Sequence, residues 1–359
     1  MNILSYVMAF FALLGALDRL FGSRFGIGKE FERGLHIFGA LALSMIGMII
    51  ISPAIEKLLS GTFDAFYRYL HIDPSVITAS LFANDMGGTE LSLRVAKDAE
   101  IGSFNGLVVS SMMGCTVSFT IPNALGMVDS SKHKPLLTGL LCGIVTIPIG
   151  SFFAGLVCGI PILPLLLDLA PLALFSIVIA LGLFFFRDIC VKIFDIFGKL
   201  IKIIITVGLA LGILRFLTGF ELVKGLNTLE YGADICLSIA AFMTGALPML
   251  FILSKVFAKP LGCFGKRLGI NETSSFGLVS TLATSITTFE KMGEMDDRGV
   301  IINSAFAVPA AFVLADHLAF TLSFDPSYVV SMMSGKIIAG ILAIILALVI
   351  CGKRKRDSK

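Results

Sequence analysis

The sequence predicts an all-α protein that crosses a membrane many times. Of the 359 residues, 56% are hydrophobic and only 15% are charged, and the mean hydropathy is +0.95. Soluble domains carry about 45–50% apolar and about 25% charged residues. The apolar excess is more than one water-soluble core can bury, so a lipid bilayer is the expected solvent. Lys and Arg fall in short loops and at the C-terminus, which indicates membrane topology rather than a nucleic-acid-binding surface.

Runs of about 20 apolar residues predict nine transmembrane helices. They cover residues 3–19, 35–54, 103–128, 135–158, 165–186, 197–216, 235–254, 300–323 and 329–351. The first run has no basic segment before it, so we expect it to be retained rather than cleaved. The basic residues alternate sides, which predicts an outside N-terminus and a cytoplasmic C-terminus carrying Lys353-Arg354-Lys355-Arg356. The segments Ile160–Asp168 and the turn around Asp325 lack Lys and Arg, and we expect both outside.

Two moderately apolar segments, Ser75–Leu93 and Ser274–Met292, do not fit as full spans. Counting either as a span would invert the charge bias of everything after it. We interpret both as re-entrant hairpins, the first entering from outside and the second from inside. Non-helical backbone at membrane depth is tolerated where it is buried in protein or lines an aqueous cavity, so the hairpins indicate a solute pathway.

The two halves of the sequence also resemble each other. The order of the matches predicts two inverted repeats, residues 1–159 (hairpin 75–93) and 191–359 (hairpin 274–292 and the basic tail), joined by a connecting span at 160–190. The matched pairs are Glu32/Glu230, Gly34/Gly232, Ile37/Ile235, Ala42/Ala240, Met45/Met243, Gly47/Gly245, Ser80/Ser280, Ala83/Ala283, Glu90/Glu290, Ser111/Ser304, Phe119/Phe312, Asn123/Asp316 and Leu125/Leu318. About nine to eleven membrane segments in total follow from this arrangement.

Asp85 is the leading candidate for a binding residue. Ionisable residues at membrane depth are costly and mark functional sites. Asp85 precedes Gly87-Gly88, where a helix is expected to break and to expose carbonyl groups with partial negative charge. A carboxylate beside such carbonyls suits an ammonium group or a metal ion. The alternative is an Asp that caps the local backbone at the tip of the hairpin.

Other polar residues extend the candidate substrate site. Asp316-His317 lies in an otherwise apolar predicted span, and the repeat places Asp316 opposite Asn123. The alternative is a pair that satisfies itself inside the bundle. Amide and hydroxyl partners are expected from Asn84, Asn303 and Ser285, although such groups often bond only to helix carbonyls. Glu90 and Glu290 are expected nearer the hairpin ends, in contact with water.

At these residues the sequence resembles the EutH family, the ethanolamine permeases of the ethanolamine-utilisation system. The matching stretches are Leu81-Phe82-Ala83-Asn84-Asp85-Met86-Gly87-Gly88, Ser111-Met112-Met113-Gly114, Gly143-Ile144-Val145-Thr146-Ile147-Pro148-Ile149-Gly150, Ala305-Phe306-Ala307-Val308 and Asp316-His317-Leu318. The resemblance implies uptake of ethanolamine across the cytoplasmic membrane of a bacterial cell. By the same resemblance, Asp85 and Asp316 fall on the family's Asp-Met-Gly-Gly and Asp-His-Leu motifs.

The expected function is therefore transport of protonated ethanolamine by facilitated diffusion, without a metal or other cofactor. The protonated amine cannot cross lipid alone because its charge is too costly to bury. The alternative is a sodium- or proton-coupled symporter of another small amine or a nucleoside-like solute, and a more distant one is an intramembrane aspartyl enzyme. The expected partners are the lipid bilayer and ethanolamine, and nucleic acid is not expected. The sequence leaves open whether the chain forms a homo-oligomer.

Overall fold

The computed structural model describes residues 3–352, except the side chains of residues 3, 4, 254 and 256–267. The predicted basic tail Lys353-Arg354-Lys355-Arg356 lies outside the described residues. Within 3–352 the chain is helical and contains no β-strand. The α-helices are α1 (Ile3–Leu20), α2 (Ile27–Leu41), α3 (Gly47–Leu70), α4 (Ser75–Leu81), α5 (Gly88–Val95), α6 (Ala99–Phe104), α7 (Ile121–Met127), α8 (His133–Ile144), α9 (Ile147–Cys158), α10 (Ile162–Phe185), α11 (Arg187–Thr218), α12 (Leu229–Leu268), α13 (Glu272–Ala283), α14 (Ser285–Glu290), α15 (Asp297–Ala310), α16 (Asp316–Phe324) and α17 (Val329–Ile350).

Wider π-helical turns continue two of these helices. The segment Ala42–Ile46 joins α2 to α3, and the segments Asn105–Gly114 and Thr116–Thr120 join α6 to α7. π-Helical turns are rare in proteins overall, but those that occur often lie at functional sites. We call the pair of segments between α6 and α7 the π-segment, and its residues are almost all buried.

Seven helical stretches of the described chain are long and apolar enough to cross a membrane. They are Ile27–Leu70, Ala99–Met127, Ser130–Cys158, Ile162–Phe185, Arg187–Thr218, Leu229–Leu253 and Pro326–Ile350, and each overlaps one predicted span. The predicted span 3–19 coincides with α1, and the predicted span 300–323 is divided between α15 and α16. Neither belongs to the seven, so a total of nine spans stays a prediction.

The two halves meet along α2 and α12, which run antiparallel. A Cβ atom placed on Gly34 of α2 would lie 2.5 Å from the backbone N of Thr244. A Cβ atom on Gly232 of α12 would lie 2.9 Å from Cγ2 of Ile46, at the other end of the contact. Gly34 and Gly232 are 198 residues apart in sequence, as are Ile46 and Thr244. The contact is therefore reciprocal, with each half presenting the same positions to the other.

The flanking helices make a second reciprocal pair of contacts. A Cβ atom on Gly245 of α12 would strike the carbonyl of Met8, and one on Gly15 of α1 would lie 3.3 Å from Pro248. In the other half, a Cβ atom on Gly47 would strike the carbonyl of Ile205, and one on Gly212 of α11 would strike the side chain of Ile50. The spacing along each helix is the same: Gly47 and Ile50 are three residues apart, as are Gly245 and Pro248, and Ile205 and Gly212 are seven apart, as are Met8 and Gly15. Helix α1 thus packs on α12 as α11 packs on α3.

Both predicted hairpins are interrupted helices. Helices α4 and α5 are separated by Phe82–Gly87, and α13 and α14 are separated by the extended residue Thr284 (φ −157°, ψ 133°). Gly87 has φ +91°, a left-handed conformation that glycine adopts without steric cost. The first break ends at the Gly pair where the sequence predicts it, and the second falls at Thr284, a position that the sequence did not indicate. Whether the segments re-enter a membrane from opposite faces stays a prediction.

The predicted uninterrupted span at 300–323 is wrong, because α15 ends at Ala310 and α16 begins at Asp316. Pro309 has no backbone N–H and weakens the end of α15. The interrupted backbone is instead held by the second hairpin: the N–H groups of Phe312 and Leu314 donate to the carbonyls of Thr281 (3.1 Å) and Leu282 (2.9 Å). Asp316 therefore stands at a helix N-terminus and not in mid-helix.

The connecting helix α10 also begins earlier than predicted. The segment Ile160–Asp168 was expected as an outside loop, but α10 starts at Ile162 and Asp168 is buried in its second turn. Pro161 precedes the helix, a favourable position because its ring pre-sets the backbone for helix entry.

Candidate functional site

The interruption of the first hairpin holds Asp85 in a short 3-10 turn, Asn84–Met86. The turn is closed by the N–H of Gly88, which donates to the carbonyl of Ala83 at 2.8 Å. The hydroxyl of Ser118, in the π-segment, accepts the N–H of Ala83 at 3.0 Å. Backbone on both sides of Asp85 is therefore fastened, and its partly buried side chain projects from a rigid turn.

Asp316 from the other half lies close to this turn. Helix α16 packs against the Asn84–Met86 turn, and the carboxyls of Asp85 and Asp316 interact electrostatically. Asp85 also interacts with Lys336 of α17, and Asp316 with Arg33 of α2. Both carboxyls are only partly buried, whereas Lys336 is completely buried. Asp85 from the first half and Asp316, His317 and Lys336 from the second half thus lie close together, and we call these four residues the central cluster.

Within the central cluster, Lys336 is held by neutral groups. Its Nζ donates to the carbonyl of Ser111 in the π-segment (2.6 Å) and lies 3.0 Å from Nδ1 of His317. Among the described residues, no carboxylate oxygen lies within 4.0 Å of this amine. The nearby carboxyls of Asp85 and Asp316 therefore remain available to a second cation.

Aromatic rings border the central cluster. The ring of Phe312 stands 5.2 Å from the ring of His317 and makes an edge contact with Phe119 at 5.5 Å. Phe312 packs with Ala83 and Cys115, which links the first hairpin, the π-segment and the break before α16. Aromatic faces attract ammonium groups within about 6 Å, so the rings of Phe119 and Phe312 are suitable neighbours for an amine.

Two polar side chains at the hairpin breaks have no partner. Asn84 is 1% exposed, and neither its amide nitrogen nor its amide oxygen makes a hydrogen bond. Ser285, the first residue of α14, is fully buried with an unpartnered hydroxyl. Buried polar groups are normally hydrogen-bonded, so both groups are available to a ligand.

Two other predicted site residues serve the fold. The amide of Asn303 donates to the carbonyls of Ser274 and Gly299 (both 2.9 Å) and ties α15 to the first turn of α13. The amide of Asn123 donates to the carbonyl of Phe119 within its own helical segment. Oδ1 of Asn303 is buried and has no hydrogen-bond partner among the described residues. The role of Asn123 and Asn303 in binding substrate stays a prediction.

Comparison with known proteins identifies the family. The family model described as "Ethanolamine utilisation protein, EutH" matches residues 1–350. The chain is 41% identical to the "Probable ethanolamine permease EutH" of Listeria monocytogenes over 358 residues, covering 100% of this chain and 96% of the relative. It is 36% identical to the protein of the same name from Salmonella typhimurium and 37% identical to that from Escherichia coli, each with 98% of this chain and 96% of the relative covered.

The chain belongs to the EutH family. The predicted resemblance is confirmed over essentially the whole chain, and with it the assignment to a family of multi-pass membrane proteins. No solved structure matches this EutH chain.

Lys336 is the residue of this EutH site that the sequence analysis missed. It is the one charged residue within the apolar run Val329–Ile350. An ionisable residue inside a span is a functional candidate by default, so the signal was present. Its partners, Ser111 and His317, lie 225 and 19 residues away, and no sequence spacing indicated that they meet.

Glu90 was expected in contact with water, but it is buried. It pairs with Arg94 at 2.8 Å, and Arg94 also donates to the side-chain oxygen of Asn227 at 3.0 Å. These contacts fasten α5 to the loop that precedes α12. Glu290 in the second hairpin is exposed, as expected.

Proposed function

We propose that this chain carries protonated ethanolamine across the cytoplasmic membrane by facilitated diffusion, and that the ammonium group binds at Asp85 and Asp316. Family membership supports the substrate, since the relatives are named ethanolamine permeases. The observation that supports the site is the packing of α16, which begins at Asp316, against the fastened, non-helical turn that holds Asp85.

The charges of the central cluster match one monovalent cation. With both carboxyls ionised and the lysine amine protonated, the four residues of the cluster would carry a net charge of minus one. A single ammonium group makes the cluster neutral, which is the favourable condition for charges removed from water. Because Lys336 is bound to Ser111 and His317 instead of a carboxylate, an incoming ammonium does not have to break an existing ion pair.

The hydroxyl end of ethanolamine is assigned to Asn84. This side chain is adjacent to Asp85 in the sequence, and its amide offers both a donor and an acceptor without partners. A hydroxyl group can donate and accept simultaneously. Two neighbouring residues of one turn can thus recognise both ends of a two-carbon amino alcohol.

The proposed architecture is a pair of inverted repeats. The reciprocal contacts between α2 and α12 support it, because antiparallel helices that exchange equivalent positions are related by a two-fold axis perpendicular to them. Such an axis lies in the membrane plane when the helices cross the membrane. Capping residues agree: the N-caps Asp98 of α6 and Asp296 of α15 are also 198 residues apart.

The offset between the halves changes from 198 at these caps to 193 at Phe119/Phe312. The offset is already 193 at Ser111/Ser304, so the first half has five more residues than the second between the N-cap of α6 and Ser111. The π-segment begins within this stretch, at Asn105.

The test is uptake of labelled ethanolamine into proteoliposomes at acid and neutral pH, without ion gradients. We expect saturable uptake by the wild type and a loss of at least about tenfold in Asp85→Asn, because the variant loses a hydrogen bond to a charged group, which contributes about 1.5–3 kcal/mol. The matched control is Asp195→Asn, which removes an exposed carboxylate paired with Lys199 and is expected to leave uptake unchanged.

Two outcomes contradict the proposal. Uptake that begins only when a sodium or proton gradient is imposed would indicate a coupled symporter. Equal uptake by Asp85→Asn and the wild type would remove Asp85 from the site.

A further inference from the structure

A second buried carboxyl lies outside the central cluster, on the connecting helix α10. Oδ1 of Asp168 accepts the amide N–H of Asn105, at the start of the π-segment, at 3.1 Å. The same amide nitrogen donates to the hydroxyl of Ser75, in the first turn of α4, at 2.9 Å. Asp168 is 4% exposed and Asn105 is fully buried. The pair therefore joins α10 to the first hairpin and the π-segment in the protein interior.

Each side chain of this pair keeps one oxygen without a partner. Oδ2 of Asp168 and Oδ1 of Asn105 are both buried and make no hydrogen bond with any of the residues that the structure describes. If Asp168 is ionised, both atoms are acceptors, and neither can satisfy the other. If Asp168 is protonated at Oδ2, its O–H can donate to Asn105 Oδ1 while Asn105 Nδ2 donates to Asp168 Oδ1. One proton thus satisfies both unpartnered atoms, in a cyclic pair of a carboxylic acid and an amide.

The surroundings also oppose a charge on Asp168. Among the described residues, the charged group that interacts with it electrostatically is Asp73, another acid. The oxygens of Asp73 accept three backbone N–H groups, from Ser75 (2.9 Å), Lys97 (2.8 Å) and Asp98 (3.0 Å). Donors of this kind stabilise an ionised carboxyl. Asp168, in contrast, accepts one N–H on Oδ1 and none on Oδ2 among the described residues.

We propose that Asp168 is a proton-binding site, and that the proton held between Asp168 and Asn105 fastens the connecting helix α10 to the first hairpin. Loss of the proton leaves a buried, uncompensated carboxylate facing an amide oxygen, which favours separation of α10 from α4 and entry of water. The proton is thus a regulatory ligand of the transporter. This inference does not depend on which solute the central cluster binds.

The first test is infrared spectroscopy of the purified protein in liposomes at neutral pH. We expect a protonated-carboxyl C=O band in the wild type that is lost in Asp168→Asn and retained in the control Asp64→Asn. Asp64 is half exposed and paired with Lys97. Asn105→Ala removes the acceptor of the proton, so it is expected to keep the band and shift its frequency, which gives a second measurement if Asp168→Asn does not fold.

The second test compares uptake by Asp168→Asn and the wild type from acid to alkaline pH. An Asn at 168 can make the same two hydrogen bonds with Asn105 at every pH. We therefore expect the ratio of variant to wild-type uptake to rise at least about twofold toward alkaline pH, because only the wild type loses its proton. The ratio cancels the change in substrate protonation, and Asp64→Asn is expected to give a constant ratio.

Two results would overturn the proposal. The first is a carboxyl band that is identical in the wild type and Asp168→Asn. The second is a melting temperature that rises saturably with sodium in the wild type but not in Asp168→Asn, which would assign the unpartnered oxygens to a metal cation and not to a proton.

Discussion

Asp85 and Lys336 illustrate what single residues contribute to the pathway. Asp85 is recognisable in the sequence because the following Gly87-Gly88 breaks the helix and leaves the carboxyl beside free backbone groups. Lys336 has no such context, since its neighbours along α17 are apolar. Its role follows only from the fold, which places its amine against Ser111 and His317 and within electrostatic reach of Asp85.

Substitution of Lys336 by Met tests the charge balance of the central cluster. Met keeps a long unbranched side chain but removes the positive charge that repels an ammonium substrate. Unit charges about 8 Å apart interact by about 2 kcal/mol at an effective dielectric constant of about 20. We therefore expect KM for ethanolamine to fall about tenfold, with a lower maximal rate because release becomes slower.

The control for this prediction is Lys199→Met, which alters an exposed lysine paired with Asp195. A rise in KM for Lys336→Met would show that the amine helps to hold the substrate. That result would contradict the proposal that the two carboxyls bind the ammonium group and that Lys336 repels it.

At the scale of elements, glycine positions decide how closely the helices of the two halves approach. Gly34 meets the backbone of Thr244, whereas Gly39 on the same helix has no atom within 4 Å of a Cβ position. The repeat matches Gly34 to Gly232 and leaves Gly39 unmatched, but the sequence does not show that Gly34 lies at a helix contact. Only the packing of α2 on α12 makes the first one indispensable.

A pair of alanine substitutions tests this difference. Gly34→Ala is expected to destabilise the protein by about 1–3 kcal/mol, since the added methyl group forces two backbones apart. Gly39→Ala is expected to be neutral or stabilising by up to about 1 kcal/mol through helix propensity. Melting temperatures of both variants in detergent provide the measurement, and equal melting temperatures would mean that α2 and α12 are not in close contact.

At the scale of the whole molecule, the reciprocal contacts support the proposed two-fold relation between the two halves. The repeat is visible in the sequence at Gly34/Gly232 and at the flanking residues. However, membrane sequences use few types of apolar residue, so such matches also arise by chance. The contacts of α1 with α12 and of α11 with α3 recur at a constant offset, which chance does not explain. If the axis lies in the membrane plane, equivalent residues stand on opposite sides of the membrane.

Single cysteines at Ala99 and Asp297 test the inverted topology. Both residues are exposed and directly follow the capping residues Asp98 and Asp296. In a background without the native cysteines, we expect a membrane-impermeant thiol reagent to label the Ala99→Cys protein in intact cells. The Asp297→Cys protein is expected to react only after permeabilisation. Labelling of both from one side would exclude inverted repeats.

The sequence by itself determined the membrane class, the family and the helix break beside Gly87-Gly88, and it singled out Asp85 and Asp316 as candidates. These features depend on composition, on the Gly pair and on local motifs, all of which act over a few residues. Only the tertiary structure decided the interruption before Asp316, the burial of Glu90 and Asp168, and the position of Lys336. Each of these depends on groups supplied by distant segments, as when Thr281 and Leu282 satisfy the free N–H groups of Phe312 and Leu314. Local sequence cannot specify such partners, because a polar group is stable in the interior only where the fold places a partner beside it.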